Sequence, residues 1–505
     1  MNIQKNQSLN YESYKKPKFD YKIIFEILIA IGVLAITFIF ITSSFREEYY
    51  VWILFFIWSA MFLYSLLDFA NRIFLIMFLI SFFNFLIGRS LLISIGLYTE
   101  YYYFTEYANI QGQKIVLFSF IIFSISYYFI DKYFRKNDNN IIGKNYETYE
   151  YRKIRKISKF LYYLFYLFLM YTVILQILYV FEHGYPALYL NKTADINFVV
   201  RKLGSLAPYF FLFFLSTMPS KKEIKIPLAS WLLYLIATLL VGARFSFVIG
   251  IITIFTYMVI RNFIGNDGEP WVSKKQVIFL IILGLFILAF FSIYKDIRFG
   301  NDLKQRSLST LIMDFFYEQG VNINNNKRIF QFEKVIPKER IYSFNSLISF
   351  WDRNISSRLV GIKVSPGNNL GRAYTENSLS DMLAVLVLGE EKYLSGLGVG
   401  SSYIAEVFHD FSWMGLLIVN MFFAFVINFL QDSIYRGPVF FILTMNVFMA
   451  LLKVPRANAD LILLQIIDPV LWLSILMMKV TTNYNIQIFN QYDYDYSELN
   501  IKERS

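Results

Sequence analysis

Long apolar segments separated by short polar ones run through most of the chain. Because an α-helix rises about 1.5 Å per residue, about 20 apolar residues cross the roughly 30 Å hydrocarbon core of a bilayer. Apolar segments bounded by charged or turn residues predict twelve transmembrane helices, at 23–42, 51–67, 73–91, 113–130, 160–181, 205–218, 227–242, 245–260, 276–293, 411–430, 439–451 and 461–478. The predicted fold class is an all-α, polytopic membrane protein of about twelve transmembrane helices, with one large extracytoplasmic loop containing short amphipathic helices.

The composition supports this interpretation. Of the 505 residues, 56% are hydrophobic and 17% are charged, against roughly 25% charged in an ordinary soluble domain. A water-soluble enzyme is therefore excluded. The chain contains no cysteine, which excludes disulfides, thiolate metal sites and a cysteine nucleophile.

The positions of the cations predict how the chain is oriented. The net charge is +11. If the chain has twelve spans and a cytoplasmic N-terminus, 25 Lys and Arg residues lie on the inner side, and only nine lie on the short outer loops and their flanks. This asymmetry is what the positive-inside rule describes, so no nucleic-acid partner is needed to explain the charge. We expect a multi-pass protein of the bacterial cytoplasmic (inner) membrane with both termini in the cytoplasm, in contact with membrane lipids.

Five regions follow from the spans and their orientation. Residues 294–410 form the large extracytoplasmic loop, and segments 307–319, 344–351 and 378–388 within it are predicted to be helices on or in the outer leaflet. The other regions are a cytoplasmic basic tail at 1–22, transmembrane helices 1–9 at 23–293, transmembrane helices 10–12 at 411–478 and a cytoplasmic tail at 479–505.

The end of the outer loop carries the densest chemical signal. In LSGLGVGSSYIAEVFHDFSWMGLL (394–417), alternating glycines predict a turn capped by Ser401 or Ser402. The helix that follows would present N–H groups to a phosphate and run straight into the tenth span. Glu406, His409 and Asp410 lie on one face of this helix. Glu406 and His409 are candidate catalytic groups, with His409 as a general base; the alternative is that this histidine is structural.

Several cations are candidates for binding an anionic substrate. Arg244 lies in VGARFSF (241–247), where two apolar segments meet, and it is either a clamp for phosphate or diphosphate or an interface anchor. The other candidates lie in the outer loop and before the last span: Arg298, Arg353, Arg358, Arg372, Lys453 and Arg456. Single loop arginines are usually only solvated, whereas several that converge on one cavity would suit an anionic, lipid-linked substrate.

Other motifs give no support to a hydrolase or to an ATP-driven protein. The sequence has no His/Cys/Asp metal spacing, no P-loop and no GxSxG elbow. We therefore expect no cofactor and no metal.

Together, the twelve spans, VGARFSF, the large loop before the last three spans and GLGVGSSYIAEVFHDFSWMG resemble the Wzy-type polymerases of bacterial O-antigen and capsular repeat units. The resemblance implies a metal-independent glycosyltransferase that moves a growing glycan from undecaprenyl diphosphate onto a fresh lipid-linked repeat at the outer face of the membrane. It also implies that outer-loop arginines handle the anionic carrier, with Arg244 the best match and those of 294–400 following. A chain-length regulator and a flippase are possible partners, and Glu406 is favoured over His409 as the catalytic group.

Two rival functions remain open at this point. One is a lipid-linked oligosaccharide flippase, which would have little use for so large a loop. The other is a polysaccharide ligase, which differs from a polymerase only in its acceptor.

The predicted orientation can be tested because the chain has no cysteine of its own. We expect a membrane-impermeant thiol reagent to label intact spheroplasts that carry Lys392→Cys, which lies in the outer loop. Glu150→Cys, in the basic inner loop, should react only after the membrane is permeabilised. The reverse labelling pattern would contradict the orientation.

Overall fold

The computed structural model describes residues 46–133, 146–184, 196–264, 270–299, 305–352 and 367–482. Within these ranges the chain is helical and contains no strand. In the part of the chain that the structure describes, ten helices are long and apolar enough to cross a membrane: α1 Glu47–Leu66, α2 Ala70–Ser94, α3 Glu106–Tyr133, α4 Tyr149–His183, α5 Phe198–Ser216, α6 Lys221–Leu240, α7 Arg244–Ile264, α15 Tyr403–Ser433, α16 Pro438–Arg456 and α17 Leu461–Thr482. The predicted fold class, a polytopic all-α membrane protein, is confirmed.

These ten helices coincide with the second to eighth and the tenth to twelfth predicted spans. The ninth predicted span lies within α8, Lys274–Phe299, a single helix of 26 residues. The first predicted span, 23–42, and both predicted tails apart from residues 479–482 lie outside the described residues.

Six shorter helices form the described part of the segment between α8 and α15. They are α9 Leu308–Gln319, α10 Ile323–Gln331, α11 Asn345–Trp351, α12 Leu370–Thr375, α13 Leu379–Leu388 and α14 Glu390–Leu394. The segments at 307–319, 344–351 and 378–388 are therefore helical, as predicted. Both α8 and α15 extend into the predicted loop 294–410, because α8 ends at Phe299 and α15 begins at Tyr403.

Charged groups near the helix ends are paired in two clusters. At the start of α4, the buried Arg155 lies 2.8 Å from Glu147 and 3.1 Å from Glu223, and it also donates to the carbonyl oxygen of Thr217 at 2.9 Å. Between α2 and α3, Arg72 pairs with the buried Asp131 at 2.8 Å. Since a lone charge is costly away from water, this pairing lets both arginines lie against apolar helices.

Helix α3 is the centre of the packing. It lies against α15, α1 and the short helix α10. The contact with α10 is close at Gly112, where an added Cβ would lie 2.7 Å from Lys327 Cγ and 3.0 Å from Lys327 Cα. Glycine at this position is thus what allows α10 to lie directly on the transmembrane helix.

We therefore expect Gly112→Ala to destabilise the protein by roughly 1–3 kcal/mol, because a methyl group there overlaps the α10 backbone. The measurement is the thermal unfolding midpoint of the detergent-purified protein. Gly284→Ala in α8 is the matched control, since nothing lies within 4 Å of a Cβ at that position. Equal midpoints for the two variants would contradict the close packing.

Candidate active site

Helix α10 carries a run of polar side chains into the protein interior. Residues 324–328, in the sequence Asn-Asn-Asn-Lys-Arg, are all buried, as is Asn322 just before the helix. Asn322 donates to the carbonyl oxygen of Pro455 at 2.8 Å, and Asn325 donates to that of Val399 at 3.2 Å. Buried amides that bond backbone carbonyls in this way hold the segment before α15 and the end of α16 against α10.

The other side of α10 faces the beginning of α1 and the connection between α2 and α3. Lys327 Nζ lies 2.6 Å from a carboxylate oxygen of Glu47. Arg328 is 2% exposed, donates to Asn325 Oδ1 at 2.7 Å and lies 5.0 Å from the ring centre of Tyr102. Burial lowers the pKa of the Arg328 guanidinium below its ordinary value.

The start of α15 is held from inside the protein. Ser402 precedes the helix but makes no capping hydrogen bond, because its hydroxyl donates to Asn326 Oδ1 at 2.9 Å. Residues 401–405 are buried. The prediction that this turn presents exposed N–H groups to a phosphate is therefore wrong: the first turn is covered by α10.

Glu406 is completely buried, and both of its carboxylate oxygens have partners. One oxygen accepts the hydroxyl of Ser401, and the other accepts the backbone N–H of Ala459 at 2.9 Å. The carboxylate thus joins the turn before α15 to the turn before α17. In this geometry Glu406 organises the surrounding backbone and has no oxygen left open to a substrate.

His409 and Asp410 form a hydrogen-bonded pair. His409 Nδ1 lies 2.9 Å from Asp410 Oδ1, and Asp410 Oδ2 accepts the backbone N–H of Ser343 at 2.7 Å. With the proton on Nδ1, the other ring nitrogen is an acceptor, and Nε2 is buried without a hydrogen-bond partner among the described residues. A histidine oriented by a carboxylate with its second nitrogen free is the arrangement of a general base.

The prediction that this helix runs straight into the tenth span is also wrong. Ser412 has φ 55° and ψ −148°, a non-helical conformation inside α15. Three residues later, a Cβ on Gly415 would lie 2.5 Å from Phe411 Cβ and 2.9 Å from Val407 Cγ1. The kink therefore separates the His409–Asp410 turn from the membrane-spanning part and packs the two parts closely. A strained backbone of this kind persists only where its surroundings hold it, and it is frequent at functional sites.

An apolar groove of about 610 Å³ begins beside this turn. Its polar lining residues are Ser343 and Asp460, and its apolar walls come mainly from α15 and α17: Phe344, Val407, Phe411, Met414, Ile418, Val419, Phe422, Ile462 and Leu463. The exposed fractions of Met414 and Ile418 are 65% and 61%. The groove thus leads from exposed apolar residues on a candidate transmembrane helix to a polar end.

Asp460 lies at that polar end. Its Oδ2 accepts the backbone N–H of Leu347 at 2.7 Å, whereas Oδ1 is buried and has no hydrogen-bond partner among the described residues. Burial raises the pKa of the Asp460 carboxyl above its ordinary value, despite the hydrogen bonds that oppose the shift. A free buried oxygen of this kind calls for a bound water or substrate group.

Two of the predicted cationic segments come together. Arg456 donates to Gln319 Oε1 at 2.9 Å, and its guanidinium lies 5.8 Å from the ring centre of Phe245. Phe245 follows Arg244, which donates to the carbonyl oxygen of Phe291 at 2.9 Å. The structure thus joins VGARFSF to the segment that contains Lys453 and Arg456.

The remaining predicted cations are distributed differently. Arg372 pairs with Asp381 at 2.7 Å, within the segment between α8 and α15. Arg353 and Arg358, together with the side chain of Arg298, lie outside the described residues. All seven cations therefore stay predictions as substrate-binding residues.

Sequence reasoning missed α10, Ser343 and Asp460. The signal for α10 was a run of amides and cations between Ile323 and Ile329 in a predicted aqueous loop, where such a run is ordinarily solvated. Asp460 is the last residue of LLKVPRANAD, a segment in which only the cations Lys453 and Arg456 were predicted to be functional. Neither residue type nor spacing indicated that these groups are buried beside His409.

Comparison with known families adds to this geometry. The family model of the O-antigen polysaccharide polymerase Wzy matches residues 21–487. The chain belongs to this family. The Wzy match covers the ten described spans and every residue of the candidate site, and it identifies the chain as a polymerase-family membrane protein of polysaccharide biosynthesis. No curated protein and no solved structure matches the chain significantly.

The raised pKa of Asp460 predicts a pH-dependent effect of its removal. A carboxyl whose folded pKa exceeds its unfolded value of about 3.9 stabilises the fold most below that unfolded value, and this contribution is lost as pH rises through the folded pKa. We expect the thermal unfolding midpoint of Asp460→Asn, relative to that of the wild type, to rise as the pH increases above about 4. The solvent-exposed Glu391→Gln is the control. A difference between Asp460→Asn and wild type that does not change with pH would contradict the shift.

Proposed function

We propose that this chain polymerises undecaprenyl-diphosphate-linked oligosaccharide repeat units at the outer face of the bacterial inner membrane, with both termini in the cytoplasm. The observation that carries the proposal is the His409–Asp410 pair, with Nε2 free, beside the polar end of the apolar groove. An isoprenoid chain needs an apolar path open to lipid, and a glycosyl acceptor needs a base. These two requirements meet at the kinked start of α15.

The reaction we propose transfers the growing glycan from its carrier to a sugar hydroxyl. The bond between the anomeric carbon and the diphosphate oxygen breaks, and its electron pair leaves with the lipid diphosphate. The acceptor oxygen forms the new glycosidic bond, and its proton passes to His409 Nε2. Asp410 orients the ring and stabilises the imidazolium that forms. The proposed reaction therefore requires no metal.

This geometry favours different roles for the two predicted catalytic residues. Glu406 has both oxygens occupied by Ser401 and Ala459, so we assign it the positioning of the turns on either side of the site. His409 receives the role of base. We assign the diphosphate to Arg244 and Arg456, whose segments the structure brings together through Phe245.

The sequence contains two histidines, and one variant of each tests the proposal. We expect His409→Gln to lower the polymerisation rate by roughly 10²- to 10⁴-fold, the usual contribution of a general base. Single repeat units should then accumulate on the outer leaflet, as they should in cells without the gene. His183→Gln is the matched control, because His183 is exposed at the end of α4 and should leave polymer length unchanged. Mass spectrometry of lipid-linked glycans, with their sidedness, measures both.

Other outcomes assign other functions. Single units that remain on the inner leaflet in cells without the gene would identify a flippase. Long polymer that stays on the lipid would identify a ligase. Normal polymer with His409→Gln, in a protein that is expressed and thermally stable, would remove His409 from the mechanism.

A further inference from the structure

A second cavity, of about 400 Å³, lies between the start of α1, the connection from α2 to α3, and α10. Its lining residues come from these three segments and from the adjacent ends of α2 and α3: Arg46, Glu47, Glu48, Val51, Ser90, Ile93, Ser94, Glu100, Tyr101, Tyr102, Tyr103, Phe104, Asn109 and Lys327. Its volume lies within the range of small-molecule sites, about 300–1,000 Å³. The mechanism proposed above does not use this cavity.

Four consecutive aromatic residues, 101–104, line it. Tyr101 and Tyr103 are 84% and 87% exposed, so most of each side chain is accessible to a ligand, although Tyr101 also meets the ring of Tyr317 edge-on. Aromatic rings at a membrane surface often serve as interface anchors. Here, however, the same cavity contains three carboxylates and an amide, and such groups would not line a surface that faces lipid.

The charges of the cavity cancel. Lys327 pairs with Glu47 at 2.6 Å, and Glu100 pairs with Arg89, just outside the cavity wall, at 2.7 Å. Burial alone would raise the pKa of Glu100, but hydrogen bonds and charge from Arg89 outweigh it and hold that pKa below its ordinary value. Only Arg46 and Glu48 remain among the charged lining residues, one of each sign. A diphosphate or an acidic sugar would require an excess of cations, so the cavity suits an uncharged ligand.

Helix α10 connects this cavity to the candidate active site. Lys327 lines the cavity, and the neighbouring Asn326 accepts the hydroxyl of Ser402 at the start of α15. The cavity and His409 therefore belong to the same side of the protein.

We propose that this cavity binds uncharged saccharide units of the glycan, a role that rests on the proposed polymerase function. A sugar ring has one face of C–H groups, which packs on an aromatic ring, and a rim of hydroxyls, which donate to carboxylates and amides. Tyr101 and Tyr103 supply the rings, and Glu48 and Asn109 supply acceptors. The cavity holds the sugars while the carrier lies in the apolar groove.

Binding to the detergent-purified full chain tests this assignment. The probes are neutral oligosaccharides released from the surface polysaccharide of the cells that carry the gene, and inorganic diphosphate. By calorimetry we expect Tyr103→Ala to raise the oligosaccharide Kd about tenfold, whereas Tyr103→Phe keeps it within about twofold because the ring is retained. Neither variant should change diphosphate binding. Tyr149→Ala, at a tyrosine 76% exposed at the start of α4, is the matched control.

The outcomes separate the cavity from the polymerase function. Wild-type oligosaccharide affinity in both Tyr101→Ala and Tyr103→Ala would overturn the saccharide site, even if the cells make polymer. Oligosaccharide binding that these variants weaken, in a protein whose loss leaves polymer unchanged, would support the cavity and refute the polymerase.

Discussion

The burial of a polar helix against transmembrane helices is the constraint on which the region around the candidate site depends. Helix α10 places five consecutive polar side chains, residues 324–328, away from water. Each buried donor or acceptor left without a partner costs about 1–3 kcal/mol, so the surrounding segments must supply partners. Partners come from four places: Glu47, Glu100, Val399 and Ser402. Just before the helix, Asn322 adds a bond to the carbonyl oxygen of Pro455. The close approach at Gly112 makes this possible, because the two helix backbones come nearly into contact.

The same network positions the candidate catalytic pair. Because Ser402 bonds to Asn326, and Glu406 bonds to Ser401 and Ala459, the first turn of α15 is held on several sides. The kink at Ser412 then separates this turn from the span below it. A carboxylate with both oxygens occupied holds the structure together. His409 Nε2 is buried without a hydrogen-bond partner among the described residues, so it can accept a proton from a substrate group that reaches it. This difference in hydrogen bonding, not the residue types, distinguishes the roles we propose for Glu406 and His409.

The two cavities differ in character. The larger one is lined almost entirely by apolar side chains of α15 and α17, and the smaller one by tyrosines, carboxylates and an amide. A lipid-linked glycan has the same division, with an apolar tail and a polar, hydroxyl-rich head. In our proposals, the apolar groove receives the tail and the polar cavity receives the sugars, because each surface matches the solvation of one part of the molecule.

The sequence by itself determined the all-helical membrane fold, because a bilayer requires apolar segments of a fixed length and these can be read directly along the chain. It also singled out the region around His409, through polar side chains gathered at the end of a span. The tertiary structure alone decided which of these groups is free and which is occupied. Asn326, Asp460 and Ser343 are distant in sequence from the start of α15, and only the packing of α10, α15 and the turn before α17 brings them to it. Burial and hydrogen-bond partners arise from contacts between distant segments, so the local pattern of residues does not contain them.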